Sequence, residues 1–166
     1  MATEIERKFL VRGNDWCSHV SRRVGIRQAY LSASTRSSTR VRIKDGRHAT
    51  LTVKSKRSEL RRVEVEYPIS VADAEALLPL RDSSLISKER HLIPWGHHTW
   101  EVDVFHGDNA GLVIAEIELA HDQETFERPP WLGVEVTGQQ QYYNSALALR
   151  PYCRWSVPVH MPADRR

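Results

Sequence analysis

The sequence predicts a mainly β protein with flanking helices, an α+β fold in which antiparallel strands close into a barrel with a charged interior. Period-2 alternation of apolar and polar residues dominates the 166 residues. The polar faces of these strands carry grouped charges rather than a neutral mixture. Helical segments are few, which suits a sheet whose apolar faces turn outward under short helices.

Strands are expected at 3–12, 25–33, 38–44, 48–56, 61–69, 84–94, 98–106, 112–121 and 133–137. The first places Glu4, Glu6 and Lys8 on one face and Ile5, Arg7 and Phe9 on the other. Asn14 or Asp15 can cap a short helix running to Val20, and the Ser/Thr-rich stretch 32–38 ends a strand in a loop. Arg40, Arg42 and Lys44 oppose Val41 and Ile43, and Asp45-Gly46 is a hairpin signal before the next run. That run sets Thr52, Lys54 and Lys56 against Leu51 and Val53; the following one sets Arg62, Glu64 and Glu66 against Val63 and Val65.

Ser70 caps a helix with Val71, Ala74, Leu77 and Leu78 at helical spacing and Pro79 near its end. Lys88 and Arg90 share a face of a strand closed by Pro94, and Gly96 marks a turn. Glu101 and Asp103 then oppose Trp100, Val102 and Val104; after the loop 106–109, Glu116 and Glu118 oppose Ala115, Ile117 and Leu119. Pro129-Pro130 breaks the chain before the last short strand, and a third helix is expected over 139–149. Residues 1–155 are expected to form one domain, and 156–166, with Pro158 and Pro162, a loose tail.

Composition is that of a soluble globular chain, 27% charged and 40% hydrophobic. A net charge of +3 suits an anionic ligand without demanding nucleic acid, since no basic run or basic helix face is present. Cys17 and Cys153 form neither a disulfide framework nor a metal-ligand spacing, so a reduced, cytoplasmic setting is expected. No apolar run is long enough to span a bilayer, and no membrane association is expected.

The grouped charges admit two readings. One is a solvated sheet face laced by cross-strand ion pairs. The other is a pair of bound partners, cations at the acidic group and a polyanion at the basic one. Arg40/Arg42/Lys44 and Thr52/Lys54/Lys56 flank one hairpin, while Glu101/Asp103 and Glu116/Glu118 lie on consecutive strands. A solvated face more often mixes signs locally. Segregation therefore favours the enclosed, ligand-binding reading.

The run Glu4-x-Glu6-x-Lys8 resembles the E-x-E-x-K signature of the CYTH, or triphosphate tunnel metalloenzyme, superfamily. The likeness continues through Tyr30-Leu31-Ser32, Arg40-Val-Arg42-Ile-Lys44, Leu51-Thr-Val-Lys54 and Arg62-Val-Glu64-Val-Glu66. It extends through Lys88-Glu-Arg90, Trp100-Glu101-Val-Asp103, Ala115-Glu116-Ile-Glu118-Leu and Gly133-Val-Glu135-Val-Thr137, and covers residues 3 to about 155.

The resemblance implies an eight-stranded antiparallel barrel, a tunnel that binds triphosphate and acts on it with Mg2+ or Mn2+, with two ions expected. Short bacterial members that begin like this chain are similar to inorganic triphosphatases; others are thiamine triphosphatases, RNA 5′-triphosphatases and class IV adenylate cyclases. Carried over by position, Glu4, Glu6, Glu116 and Glu118 match metal ligands, and Glu64 and Asp103 match acidic positions that place metal or water. Lys8, Arg40, Arg42, Lys54, Arg62, Lys88 and Arg90 match phosphate-holding residues, with Lys8, Glu4, Glu6 and Asp103 expected nearest the chemistry. Tyr30 matches a tyrosine near the helix that closes one tunnel mouth, and Lys56 stands where many relatives have a nearby glycine. The implied partner is a small triphosphate, and the resemblance leaves room for a homodimer.

These residue types suit phosphoryl transfer, which needs alignment and charge stabilisation more than covalent help. Arg grips phosphate oxygens bidentately, and Mg2+ takes carboxylate oxygens and waters. Glu4 and Glu6, about 6.5–7 Å apart along a strand, can each face a different ion. No nucleophile elbow, Walker loop or dinucleotide motif is present. His91, His97, His98 and His106 lie near turns, where surface roles suit them better than zinc ligation. Binding of single-stranded RNA through Trp95, Trp100 and Tyr30 would leave the acidic groups unexplained. A polyphosphate sensor would not need them either.

Overall fold

The computed structural model describes residues 5–55 and 63–155. Glu4, Lys56 and Arg62 therefore lie outside the described residues, as does the expected tail. Alternating sequence becomes nine strands: β1 (Ile5–Val11), β2 (Arg22–Ala33), β3 (Ser37–Lys44), β4 (His48–Ser55), β5 (Glu64–Ile69), β6 (Ile86–Trp95), β7 (His98–Phe105), β8 (Val113–Leu119) and β9 (Leu132–Glu135). They form one antiparallel sheet in the order β5-β4-β3-β2-β6-β7-β8-β1-β9.

This sheet corrects the expected eight-stranded closed barrel. Among the described residues it has nine strands, and β5 and β9 stand at its two edges without pairing to each other. Closure would require a hydrogen-bonded ladder between those edges. β9 offers only four residues, and Pro68 in β5 has no backbone N–H to contribute.

The sheet is nevertheless strongly curved. Tyr30 on β2 and Lys8 on β1 are four strand steps apart, about 19 Å on a flat sheet. Yet Leu10 of β1, on the same face as Lys8, and Tyr30 pack against one buried cluster. The charged face is thus the concave one. The convex face is apolar: Phe9, Trp100, Val102, Ala115 and Ile117 pack beneath Trp16 and Trp131. On the other side of that face Ala29, Val41, Ile43 and Ala49 pack beneath helix α1 (Val71–Leu77) through Ala74 and Leu78. Ser70 caps α1 by accepting from the Asp73 backbone N–H at 3.0 Å, as its sequence position predicts.

The expected helix over 139–149 is instead a 3-10 turn, Gln140–Tyr142, an extended residue Tyr143, and a short helix α2 (Asn144–Leu149). Its reason is a third core on the concave side. Ile86, Phe105 and Ile114 occupy charged-face positions of β6, β7 and β8, and pack with Tyr142, Leu147 and Ala148. Leu10 and Tyr30 join them from β1 and β2. Apolar residues therefore stopper one end of a groove that is charged along the rest of its length. The Asn14–Val20 segment is likewise a 3-10 turn, Asp15–His19, which seats Trp16 in the convex core. Among the described residues, no helix is long and apolar enough to cross a membrane.

Candidate active site

Strand register assembles the groove. Lys8 of β1 lies opposite Glu116 of β8, and Glu116 lies opposite Glu101 of β7. Glu6 faces Glu118, and Arg90 of β6 faces Asp103 of β7. On the other flank Gln28 of β2 faces Arg42 of β3, and Arg40 faces Thr52 of β4. Because all are i, i+2 positions of alternating strands, one face carries every one of these side chains.

On the β1–β6–β7–β8 flank the charges are satisfied by one another. Lys8 Nζ donates to Glu116 Oε1 at 2.7 Å and lies 3.4 Å from Glu6. It also stands over the Tyr143 ring, 5.6 Å from its centroid. Lys88 is fully enclosed and donates to Asp103 at 2.6 Å and to Asn144 Oδ1 at 3.2 Å. Arg90 clamps Asp103 through two bonds of 2.8 and 2.9 Å, reaches Glu116 at 3.4 Å and pairs with Glu101.

The β2–β3 flank differs. Arg42 is largely shielded from water, and its Nε donates to the neutral Gln28 Oε1 at 2.7 Å. Among the described residues it forms no ion pair. Arg40 reaches the Thr52 hydroxyl at 3.4 Å and the edge of Glu66 at 3.8 Å, while its buried Nε has no partner. Thr52 in turn donates to Glu66 at 2.8 Å.

These surroundings move the proton affinities. Burial, then the neighbouring charges of Arg40 and Arg90, push the Arg42 guanidinium down to about 10. Burial would raise Glu116, but the charges of Lys8, Lys88 and Arg90 outweigh it and hold the carboxyl well below its usual range. Burial likewise opposes ionisation of Asp103, and Lys88 and Arg90 override it. Glu6 moves the other way: loss of hydration, then the adjacent Glu116 carboxylate, push it up to about 7. Its side chain is still 48% exposed. It is thus a group at the rim of the groove, shielded on one side and repelled by a carboxylate.

That raised carboxyl bears on whether the groove suits a divalent cation. Glu6, Glu116 and Glu118 are oxygen donors on adjacent strands, the chemistry a hard ion prefers. Glu6 and Glu116 repel each other, and Lys8 Nζ, within reach of both, supplies the local positive charge. The donor set fits a hard ion. Among the described residues, no three His, Cys, Asp or Glu side chains converge on one point as they stand.

Of the residues singled out in the sequence, the fold gathers Lys8, Glu6, Glu116, Arg90, Asp103 and Lys88 into one bonded network. Glu118 stands exposed beside it. Arg40 and Arg42 form the second flank. Lys54 and Glu64 pair at 3.0 Å near the β5 edge, at the opposite side of the sheet from β1 and β8. Glu4 and Arg62 fall outside the described residues. Sequence reasoning missed Gln28, Tyr143 and Asn144. Gln28 carried a signal, sharing the face of Tyr30 two residues before it; Tyr143 and Asn144 reach the groove only through tertiary packing of the stopper.

A family model described as the CYTH domain matches residues 2–150. The chain is 42% identical over 153 residues to an inorganic triphosphatase of Acetivibrio thermocellus, covering 92% of this chain and 97% of that protein. It is 38% identical over 153 residues to an inorganic triphosphatase of Nitrosomonas europaea, covering 89% and 97% respectively. The crystal structure of the inorganic triphosphatase NE1496 matches with a TM-score of 0.68 at 32% identity, over 90% of this chain and 96% of that one. With a family model over residues 2–150 and relatives 38–42% identical over nearly the whole chain, the chain belongs to the CYTH domain family.

Proposed function

We propose that this protein is an inorganic triphosphatase that hydrolyses a phosphoanhydride bond of tripolyphosphate in the concave groove, using Mg2+ or Mn2+. The observation that carries the reading is the asymmetry of the groove: on β2–β3 the shielded Arg42 guanidinium bonds to a neutral amide and, among the described residues, forms no ion pair, and Arg40 beside it has only the distant Glu66, whereas β1 and β8 carry an acidic cluster. An enclosed, uncompensated cation is costly unless an anion joins it. A polyanion with several charges supplies that anion.

In this reading Arg40 and Arg42 bind the terminal oxygens, with Lys54 and Arg62 extending the basic wall. Glu6, Glu116 and Glu118 would hold the metal, two ions being the arrangement proposed, and Glu4 and Glu64 are the further carboxylates assigned to it. When bound, divalent metal supplies Lewis acidity toward phosphate oxygens and water. Lys8 neutralises charge between Glu6 and Glu116 and can turn toward a phosphate oxygen. Asp103 is a positioning residue, holding Lys88 and Arg90 at fixed angles to the groove. The stopper excludes water from one end, which strengthens each charge interaction inside.

The test is a substrate panel of tripolyphosphate, ATP and thiamine triphosphate with Mg2+ and with Mn2+, scoring orthophosphate and cyclic AMP. Release of orthophosphate from tripolyphosphate, lost in Glu6→Gln and Glu118→Gln proteins that still melt cooperatively, is the expected result. Cyclic AMP from ATP, with tripolyphosphate untouched, would replace the reading by a cyclase. Binding has its own signature: tripolyphosphate at a hundred times its dissociation constant adds about 2.7 kcal/mol to stability. For a chain of this length that raises the melting temperature by roughly 5–10 °C, and sulfate at matched ionic strength should do much less.

A further inference from the structure

Among the described residues, two polar nitrogens on the charged face are buried without a hydrogen-bond partner, Gln28 Nε2 and Arg40 Nε. Both belong to the β2–β3 flank. The other such atoms, on His91, Trp100, Asn109 and Trp131, belong to the convex side or to the turn after β7.

Gln28 is fully buried, and its place is fixed on both sides by register: Arg42 of β3 on one hand, Ile86 of β6 on the other. Its orientation is fixed by chemistry. A guanidinium has donors and no acceptor, so the amide must turn its oxygen to Arg42 Nε, at 2.7 Å. The NH2 end is then the free end, and it can only donate. Its strand neighbour Ile86 offers no side-chain acceptor, and its cross-strand partner Arg42 is a donor like itself. Among the described residues no group accepts from it, which leaves the NH2 end open to an acceptor on a bound ligand.

We propose that Gln28 is a further substrate-binding residue of this site, whose oxygen positions the Arg42 guanidinium and whose amide NH2 donates to an oxygen of the bound polyanion. The inference rests on the functional reading above and adds a neutral contact to it. A third cation beside Arg40 and Arg42 would deepen their repulsion. A neutral donor adds a directed bond without that cost, and it senses where an oxygen lies rather than how much charge is near.

The test uses Gln28→Met, which keeps length and loses both polar ends, and Gln28→Glu, which keeps an acceptor for Arg42 but loses the donor and adds a negative charge. Tripolyphosphate binding is followed by calorimetry in chelator at two salt concentrations, alongside KM, kcat and metal-free melting. Gln28→Met should weaken binding roughly 10–100-fold, the loss of a hydrogen bond to a charged acceptor with some misplacement of Arg42. KM should rise more than kcat falls, and the salt dependence of binding should match that of the wild type. Melting without ligand should fall in Gln28→Met, because the shielded Arg42 Nε loses its acceptor, and much less in Gln28→Glu, which keeps one. Gln28→Glu should bind more weakly than Gln28→Met. If Gln28→Met does not fold, Gln28→Leu, uncharged and likewise without a donor, takes its place in the comparison. Affinity and KM within twofold of wild type in the folded variant would overturn the role of Gln28 while leaving the triphosphatase reading intact. A wild-type protein that neither binds nor cleaves tripolyphosphate would overturn that reading instead.

Discussion

The two flanks of the groove carry the same kinds of side chain and treat them in opposite ways. On β1, β6, β7 and β8, Lys8, Lys88 and Arg90 are matched by Glu116, Asp103 and Glu101 within the protein. On β2 and β3, Arg42 leans on an uncharged amide and Arg40 on a hydroxyl and a distant carboxylate. The first flank is a finished ion network that holds shape. The second leaves hydrogen-bonding capacity unused among the described residues. A catalogue of lysines and arginines cannot separate these two groups; their partners do.

The strongest way to break this contrast is to unbalance the finished flank. Asp103→Ala leaves Lys88 and Arg90 enclosed and without their shared carboxylate. Losing one partner of a buried pair typically costs about 3–5 kcal/mol, so the variant should melt far below wild type or fail to accumulate. An unchanged melting temperature would mean that the two cations find other partners, and the flank would not be a structural clamp.

The next effect falls on the other flank and has the opposite signature. Arg42→Met should leave metal-free stability unchanged or raised, because it removes a shielded charge that lacks a carboxylate. Tripolyphosphate affinity should fall by about 1.5–3 kcal/mol, roughly 10–100-fold, as a charge-assisted bond is lost. Arg90→Met should reverse the order, costing more in stability. Melting and calorimetry on both proteins measure the contrast directly; parallel losses in both would erase it.

A smaller effect tests the rim. Glu6 has a folded-state value of about 7 against an ordinary 4.5, so the fold prefers its protonated form. Its contribution is fully present below 4.5 and is lost as pH rises through about 7. Glu116 has the opposite sign, its contribution present above 4.5 and lost only as pH falls. In chelator, the melting temperature of wild type should therefore drop relative to Glu6→Gln across that window. The difference should be modest, since half the Glu6 side chain faces water. A constant difference with pH would show that Glu6 ionises normally.

Much of this was legible in the chain. Nine alternating runs became nine strands, Asp45 and Gly46 turned the β3–β4 hairpin with positive φ of 52° and 63°, and Ser70 capped its helix. Alternation is local, so it survives reading residue by residue. Closure is not local: whether β5 meets β9 depends on edge length and curvature, and no period encodes it. The stopper lay between. Ile86, Phe105 and Ile114 are apolar residues at positions where the strand pattern demands charge, a visible anomaly whose meaning needed the α2 segment packed on it. Gln28 escaped because a neutral amide in a strand attracts no electrostatic argument until its neighbour proves to be an unpaired arginine.

An open sheet leaves two rows of backbone groups that another chain could copy, the geometry from which aggregates grow. Here each row is blunted in a different way. β5 alternates Glu64 and Glu66 with Val65 and Tyr67, and then places Pro68 in the ladder. β9 stops after four residues, with Glu135 tied back to Arg7 by bonds of 2.7 and 2.8 Å. The features that deny this sheet its own closure are the same ones that discourage a neighbouring molecule from completing it, so an accessible groove and resistance to strand addition come from the same few residues.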